Sequence, residues 1–107
     1  MLDKVSLVIL YSSKPKKILK DIPYNTKIED VVKMALKLFD LPTNDISDQT
    51  YNILIGSKQL NSKENLEKTL SDKGIEDDEN ISIYKTTDII LGKFLIQYKE
   101  SLEFILS

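Results

Sequence analysis

Apolar residues follow a strand-like spacing in the first part of the chain. Residues 5–11 are β-branched and apolar at both odd and even positions, which predicts a central strand with both faces covered. Residues 17–22 resume an extended pattern after a polar turn, as in a β-hairpin. If Ile18 and Ile22 both point inward, a lysine falls on the same face, so the pattern favours a bulge that turns Leu19 inward.

A helix is predicted next. Thr26 is followed three residues later by Glu29, the spacing of a reciprocal capping box at a helix start. We expect Pro42 to stop this helix, because proline cannot continue it. Apolar residues then recur at intervals of three and four along one stripe, namely Ile28, Val31, Val32, Ala35 and Phe39.

Shorter elements follow. Residues 50–55 predict a strand that ends at Gly56, and residues 58–60 a brief one. Residues 70–75 have the pattern of a short helical turn closed by glycine, and residues 81–85 alternate as a strand does. The predicted order is ββαββ with a late strand, and the predicted class is α+β.

Several local sequences resemble those of ubiquitin-like domains of the β-grasp fold. Together they span about residues 5–85 and occur in the family's order: the helix start at 26–31, Leu41-Pro42 after it, the strand and glycine turn at 53–60, and the turn and last strand at 70–75 and 80–84. The resemblance implies a mixed sheet with one crossing helix. We therefore expect a ubiquitin-like domain at residues 1–87.

Residues 88–107 carry a second apolar stripe at helical spacing, which predicts an additional amphipathic helix. By alternation, Val8 and Leu10 lie on the sheet face that ubiquitin-like domains normally expose, so something is expected to cover them. Either the terminal helix folds back over that face, or it associates with another protein or a second copy of the chain. The stripe consists of Leu91, Phe94 or Leu95, Tyr98, Leu102 and Ile105.

Composition narrows the function. The net charge is -2, and all 15 basic residues are lysine, which disfavours nucleic-acid binding. The sequence has no Cys and no His, so the usual ligands of zinc and iron–sulfur clusters and the usual nucleophile–base pairs are missing. We expect a non-enzymatic protein without a cofactor. Charged residues interrupt the terminal stripe, which disfavours a membrane span, and the cytoplasm is the default location.

The resemblance also implies a binding site. Ubiquitin-like modules usually bind partner proteins through an apolar patch on the exposed sheet face, with lysines around it. We therefore expect an adaptor that binds another protein through this face, although alternation alone also leaves single apolar side chains outward. The candidate residues are Val8, Leu10, Lys14, Leu54, Lys58, Ser82, Tyr84 and, nearby, Lys85.

Three alternatives stay open. A ubiquitin-like modifier or sulfur carrier is disfavoured, because those proteins end in Gly-Gly and no such pair occurs in this sequence. A ubiquitin-like accessory protein of bacterial type VII secretion also lacks that tail, but the extra helix departs from its short ending. In the third alternative the chain is a domain of a larger protein, and the last helix begins the next segment.

Overall fold

A computed structural model describes residues 3–89. Its elements follow one another in the order β1, β2, α1, β3, β4, α2 and β5. The strands are β1 Lys4–Tyr11, β2 Lys17–Pro23, β3 Tyr51–Ile55, β4 Lys58–Gln59 and β5 Glu79–Lys85, and the helices are α1 Ile28–Leu38 and α2 Lys63–Leu66. The predicted order, ββαββ with a late strand, is confirmed, and the four-residue α2 was not predicted.

All five strands belong to one mixed sheet with the order β2-β1-β5-β3-β4. The first and last strands, β1 and β5, lie side by side in parallel, and the other neighbours are antiparallel. α1 covers one face of the sheet, and its predicted apolar stripe is buried against the inward side chains of the strands. β1 lies between β2 and β5, so its predicted position inside the sheet is confirmed.

β2 contains the predicted bulge. Val5 pairs with Ile22 and Leu7 with Leu19, so three steps along β2 match two along β1. The extra residue lets both Leu19 and Ile22 face the core, where both are buried. Ile18 directly precedes Leu19, so it points to the opposite face and is 47% exposed. The bulge thus places Leu19 inward, as the pattern favoured, and Ile18 outward.

The predicted capping box at the start of α1 does not form. Lys27 is the N-cap residue, and no side chain caps the helix. Instead the Ile28 amide donates to the Lys68 carbonyl oxygen at 2.8 Å, and the Leu70 amide donates to the Thr26 carbonyl oxygen at 3.1 Å. The Thr26 amide, which the capping box would have paired with Glu29, donates to the Pro23 carbonyl oxygen at 3.0 Å. Backbone of the distant loop at residues 68–70 thus pairs with other backbone groups at the start of α1.

A reciprocal capping box does form later in the chain. The Thr69 amide donates to Asp72 Oδ2 at 3.0 Å, and the Asp72 amide donates to Thr69 Oγ1 at 3.1 Å. This box opens the turn at residues 70–74, which closes at Gly74 with a φ of +60°. The predicted glycine-closed turn is confirmed.

α1 ends before Pro42. The Leu41 amide donates to the Leu36 carbonyl oxygen at 3.0 Å, and the Asp40 amide donates to that of Lys37 at 3.1 Å. Asp40 has a φ of 54°, which makes this ending a Schellman motif with aspartate at the left-handed position. The helix therefore ends before Pro42, as predicted, and its C-cap closes it.

The predicted C-terminal helix falls almost wholly beyond the described range. Residues 86–89 are helical, and the remainder of residues 88–107 lies outside what the structure describes. The domain boundary at residue 87 and the amphipathic helix after it stay predictions.

Candidate functional site

The candidate site lies on the sheet face that α1 does not cover. Leu7 and Ile9 of β1 are fully buried on the α1 side, so Val8 and Leu10 point to the opposite face. The same alternation applies to β5, where Ile81 and Ile83 are buried. Ser82 and Tyr84 of β5 and Leu54 of β3 therefore share the outward face with Val8 and Leu10.

Strand register brings these side chains together. Leu10 pairs with Ser82, and Ser82 pairs with Leu54, so the three form one row across β1, β5 and β3. Adjacent strands in a sheet are about 4.8 Å apart, so side chains in one row touch or nearly touch. Val8 pairs with Ile18 at the β2 side. We call Val8, Leu10, Ile18, Leu54, Ser82 and Tyr84 the sheet patch.

The exposed apolar side chains are concentrated in this patch. Among residues 3–89, the exposed large hydrophobic side chains are Leu10 at 37%, Ile18 at 47% and Tyr84 at 46%. Scattered single exposures are ordinary, but here all three occupy one face. Val8, Leu54 and Ser82 are half-buried between them. The cover predicted for this face of β1 falls on residues that lie outside the described range.

Ile18 was missing from the predicted site. Its sequence pattern fits either face of β2, because the alternation along residues 17–22 is broken by the bulge. The sequence signal that could have placed it was available: if the bulge turns Leu19 inward, its direct neighbour must face outward. Ile18 extends the sheet patch onto the edge strand.

The three predicted lysines do not join the patch. Lys14 Nζ lies 5.7 Å from the ring centroid of Tyr11, whose ring packs edge-on against Phe39 at the end of α1. Lys58 pairs with Ile55, which packs against the core. Lys85 is next to Tyr84 and therefore points to the α1 side of the sheet.

Lys85 lies on the same side of the sheet as the buried Tyr51. Lys85 pairs with Tyr51, whose side chain is buried and donates from its hydroxyl to the Pro42 carbonyl oxygen at 2.7 Å. Burial raises the pKa of the Tyr51 phenol, and the Lys85 ammonium acts in the opposite direction. Lys85 is thus an electrostatic neighbour of a core tyrosine.

Different lysines border the patch. Lys16 and Lys20 lie two residues before and two residues after Ile18, and both are exposed. β2 is an edge of the sheet, so these lysines form a positive border along one side of the patch. The opposite side is neutral, since Gln59 of β4 pairs with Leu54.

The chain leaves the sheet at a corner of the patch. Asn52, which pairs with Tyr84, donates from Nδ2 to Thr86 Oγ1 at 2.8 Å. Thr86 Oγ1 donates to the Asp48 carbonyl oxygen at 2.8 Å, and the Thr86 amide donates to that of Thr50 at 3.0 Å. These three hydrogen bonds fix the first residue after β5 beside Tyr84, on the outward side.

A second concave feature lies elsewhere in the described region. An open cavity of about 610 Å³ lies between β4, α2 and the Gly74 turn, and its lining includes Lys58, Lys73, Glu64 and Glu79. Its charged side chains are two of each sign, and it contains no aromatic group. Between residues 3 and 89, no three metal-ligating side chains are grouped, and no helix is both long and apolar enough to cross a bilayer.

Comparisons with known proteins agree on the architecture. No family model and no curated protein matches the sequence. Among solved structures, the ubiquitin of Caldiarchaeum subterraneum is 14% identical with a TM-score of 0.61, and the alignment covers 77% of this chain and 92% of that one. The UBL domain of Plasmodium falciparum Dsk2 is 13% identical with a TM-score of 0.59, covering 77% and 97%. That of yeast Ddi1 is 11% identical with a TM-score of 0.59, covering 79% and 92%.

These similarities agree with the sheet topology described above. At such low identity they establish the fold. The resemblance drawn from the sequence is confirmed at this level, and the chain has the ubiquitin-like β-grasp fold.

Proposed function

We propose that this chain is a non-enzymatic module that binds another protein through the sheet patch. The observation that carries the proposal is the convergence of Leu10, Ile18 and Tyr84, the exposed large apolar side chains of residues 3–89, on one sheet face. An apolar cluster of this kind on a rigid sheet marks an interaction surface more often than chance exposure does.

The chemistry of the patch suits protein recognition. Tyr84 combines a large apolar ring with a polar hydroxyl. It has few rotatable bonds, so little side-chain entropy is lost when it is buried. Ser82 lies between Leu10 and Leu54 and provides a hydroxyl at the centre of the apolar row. The Lys16 and Lys20 border favours a partner whose contact surface carries acidic residues on that side.

The fold neighbours support a binding role over catalysis. They include UBL domains of Dsk2 and Ddi1, that is, ubiquitin-like domains. A role as a conjugated modifier is disfavoured because the three glycines, Gly56, Gly74 and Gly92, are all isolated in the sequence. The cytoplasmic location and the adaptor role stay predictions.

Paired substitutions test the proposal. In affinity capture from a lysate of the host, proteins retained by the wild-type chain should be lost with Leu54→Glu and weakened with Tyr84→Ala. Truncating a central aromatic anchor typically costs about 2 kcal/mol, or roughly thirtyfold in Kd. Lys33→Glu, on the exposed side of α1, is the matched control and should leave capture unchanged.

Thermal melts of each variant separate loss of binding from loss of fold. If both patch variants remain folded and retain the same proteins as the control, the sheet patch is not the binding surface.

A further inference from the structure

We infer that residues 90–107 bind the sheet patch of the same chain and compete there with the partner protein. This inference rests on the proposed function for its regulatory meaning, but the intramolecular contact can be tested without any partner. Four observations support it: where the chain is anchored after β5, how long the segment is, how its apolar residues are spaced, and how high its local concentration is.

The tether directs the segment to the correct face. Thr86 is held by Asn52, Asp48 and Thr50 at the corner next to Tyr84. Asn52 lies on the same outward face as Tyr84, since the two residues pair across β3 and β5. The segment therefore starts at the border of the patch, so it does not have to pass around the sheet edge to reach it.

The segment is long enough to cross the patch. As an α-helix its 18 residues would span about 27 Å. The distance from β3 to β2 across the sheet is three strand spacings, or about 14 Å. Ile18 on the far edge strand is therefore within reach, even for a helix that crosses the strands at an angle.

The apolar pattern of the segment matches an apolar surface. Leu91, Tyr98 and Leu102, with Phe94 and Ile105, repeat at helical spacing and form one stripe. Lys93 and Lys99 are balanced by Glu100 and Glu103, so the lysine border of β2 does not repel the segment. A helix of this length is marginal in water alone, and burial of its stripe against the sheet patch would stabilise it.

Local concentration favours the chain's own segment over a second copy. A short tether holds a bound group at an effective concentration in the millimolar range. A second copy at micromolar concentration is about a thousandfold more dilute, so it loses this competition unless its contact is much stronger. The same argument applies to a partner, which must bind more tightly than the segment to displace it.

Disulfide trapping in the full chain tests the contact. The sequence has no cysteine, so every thiol is an engineered one. Leu10→Cys combined with Tyr98→Cys should form an intramolecular disulfide under mild oxidation, seen as an oxidised monomer by intact mass and non-reducing electrophoresis. Lys33→Cys combined with the same Tyr98→Cys is the control, because Lys33 lies on the exposed side of α1. Leu10 is partly exposed, so its replacement should not disturb the core.

Each result has a defined meaning. Monomer closure at least about tenfold faster in the test pair than in the control supports the inference. Equal rates in the two pairs, or a product that is mainly a disulfide-linked dimer, overturn it. The dimeric product would show that a second copy occupies the patch.

A dye experiment tests competition independently of the partner. Phe94→Ser with Leu102→Ser in the full chain should increase the fluorescence of anilinonaphthalene sulfonate, because the uncovered patch binds the apolar dye. Adding Leu10→Glu should reverse that increase. No increase on weakening the segment contradicts the inference, whereas disulfide closure without patch-dependent protein capture contradicts only the proposed function.

Discussion

Asn61 shows how one buried polar residue organises the corner of the sheet. It is 1% exposed, yet its carboxamide is fully paired. Its Oδ1 accepts from the Ile53 amide at 3.2 Å, and its Nδ2 donates to the carbonyl oxygens of Ile46 at 2.8 Å and Tyr51 at 2.9 Å. The side chain thus joins the loop before β3 to β3 itself. Buried amides of this kind are costly to remove, since each former partner is left without a hydrogen bond.

We expect Asn61→Leu to lower the free energy of unfolding by about 2 to 4 kcal/mol, because it leaves one backbone amide and two carbonyl groups without this hydrogen-bond partner. Urea denaturation followed by circular dichroism measures this change. Asn44→Leu, at an exposed loop position, is the matched control and should shift stability by less than about 0.5 kcal/mol. Similar losses in the two variants would contradict a special role for Asn61.

Asp40 occupies a backbone conformation that glycine adopts more easily. Its φ of 54° closes the Schellman motif after α1. Asp40→Gly should raise the free energy of unfolding by about 0.5 kcal/mol, since relief of left-handed strain outweighs the entropy of the freer unfolded chain. Asp30→Gly, the same substitution within α1, should instead lower it by up to about 1 kcal/mol. Equal signs in the two melting experiments would rule out this explanation.

At the scale of elements, periodic patterns predicted most of what is regular. The α1 stripe and the inward positions of β5 follow from spacing, and the structure confirms them. The inward face of β1 needed the resemblance to ubiquitin-like domains as well, because this strand is apolar at both odd and even positions. The α1 cap could not be predicted in this way, because Thr26 has the local signal of a cap while its actual partner, Leu70, is distant in sequence. The alternation of side chains along β5 would have predicted that Lys85 and Tyr84 point to different faces of the sheet. The positions of Lys14 and Lys58 depend on turn geometry.

Neighbouring residues of β2 provide a direct test of the bulge. Leu19→Ser should lower the free energy of unfolding by about 2 to 4 kcal/mol, because it leaves a cavity in the core. Ile18→Ser, one residue earlier, should change it by less than about 0.5 kcal/mol, since that side chain is nearly half exposed. Chemical denaturation measures both. A larger loss for Ile18→Ser would mean that the register of β2 is the opposite one.

At the scale of the whole molecule, one face of the sheet is closed by α1, and the other carries the patch. The closed face was predictable, because the apolar stripe of a helix and the apolar face of a sheet are both removed from water when they pack together. The patch was predictable in its centre, at Leu54, Ser82 and Tyr84, but not at its Ile18 edge or in its lysine border. Side chains at the border depend on where strands begin and bulge, and these details are set by contacts distant in sequence.

Acid should destabilise the fold partly through two carboxylates. The Thr50 hydroxyl, with Ser47, lowers the pKa of Asp45, and the Thr69 amide lowers the pKa of Asp72. A lowered pKa in the folded state means that the stabilisation is present above the ordinary value of 3.8 and is lost as the pH falls through the folded-state value.

We therefore expect Asp45→Asn and Asp72→Asn to reduce the drop in melting temperature between about pH 6 and pH 2.5. Asp48→Asn, at an exposed site in the same loop as Asp45, is the control. If the melting temperature of both test variants falls with pH as steeply as that of the wild type, other groups govern acid unfolding.

The parallel contact of β1 with β5 determines how the domain would respond to a pulling force. β1 enters the pair at Leu7, and β5 leaves it at Ile83, at opposite ends of the paired region. Tension applied to the two ends of the described chain would slide these strands past each other, so the load would be shared by all of their hydrogen bonds at once. An antiparallel pair pulled at adjacent ends opens one bond at a time. Traction on this module is therefore expected to meet high mechanical resistance at the centre of its sheet.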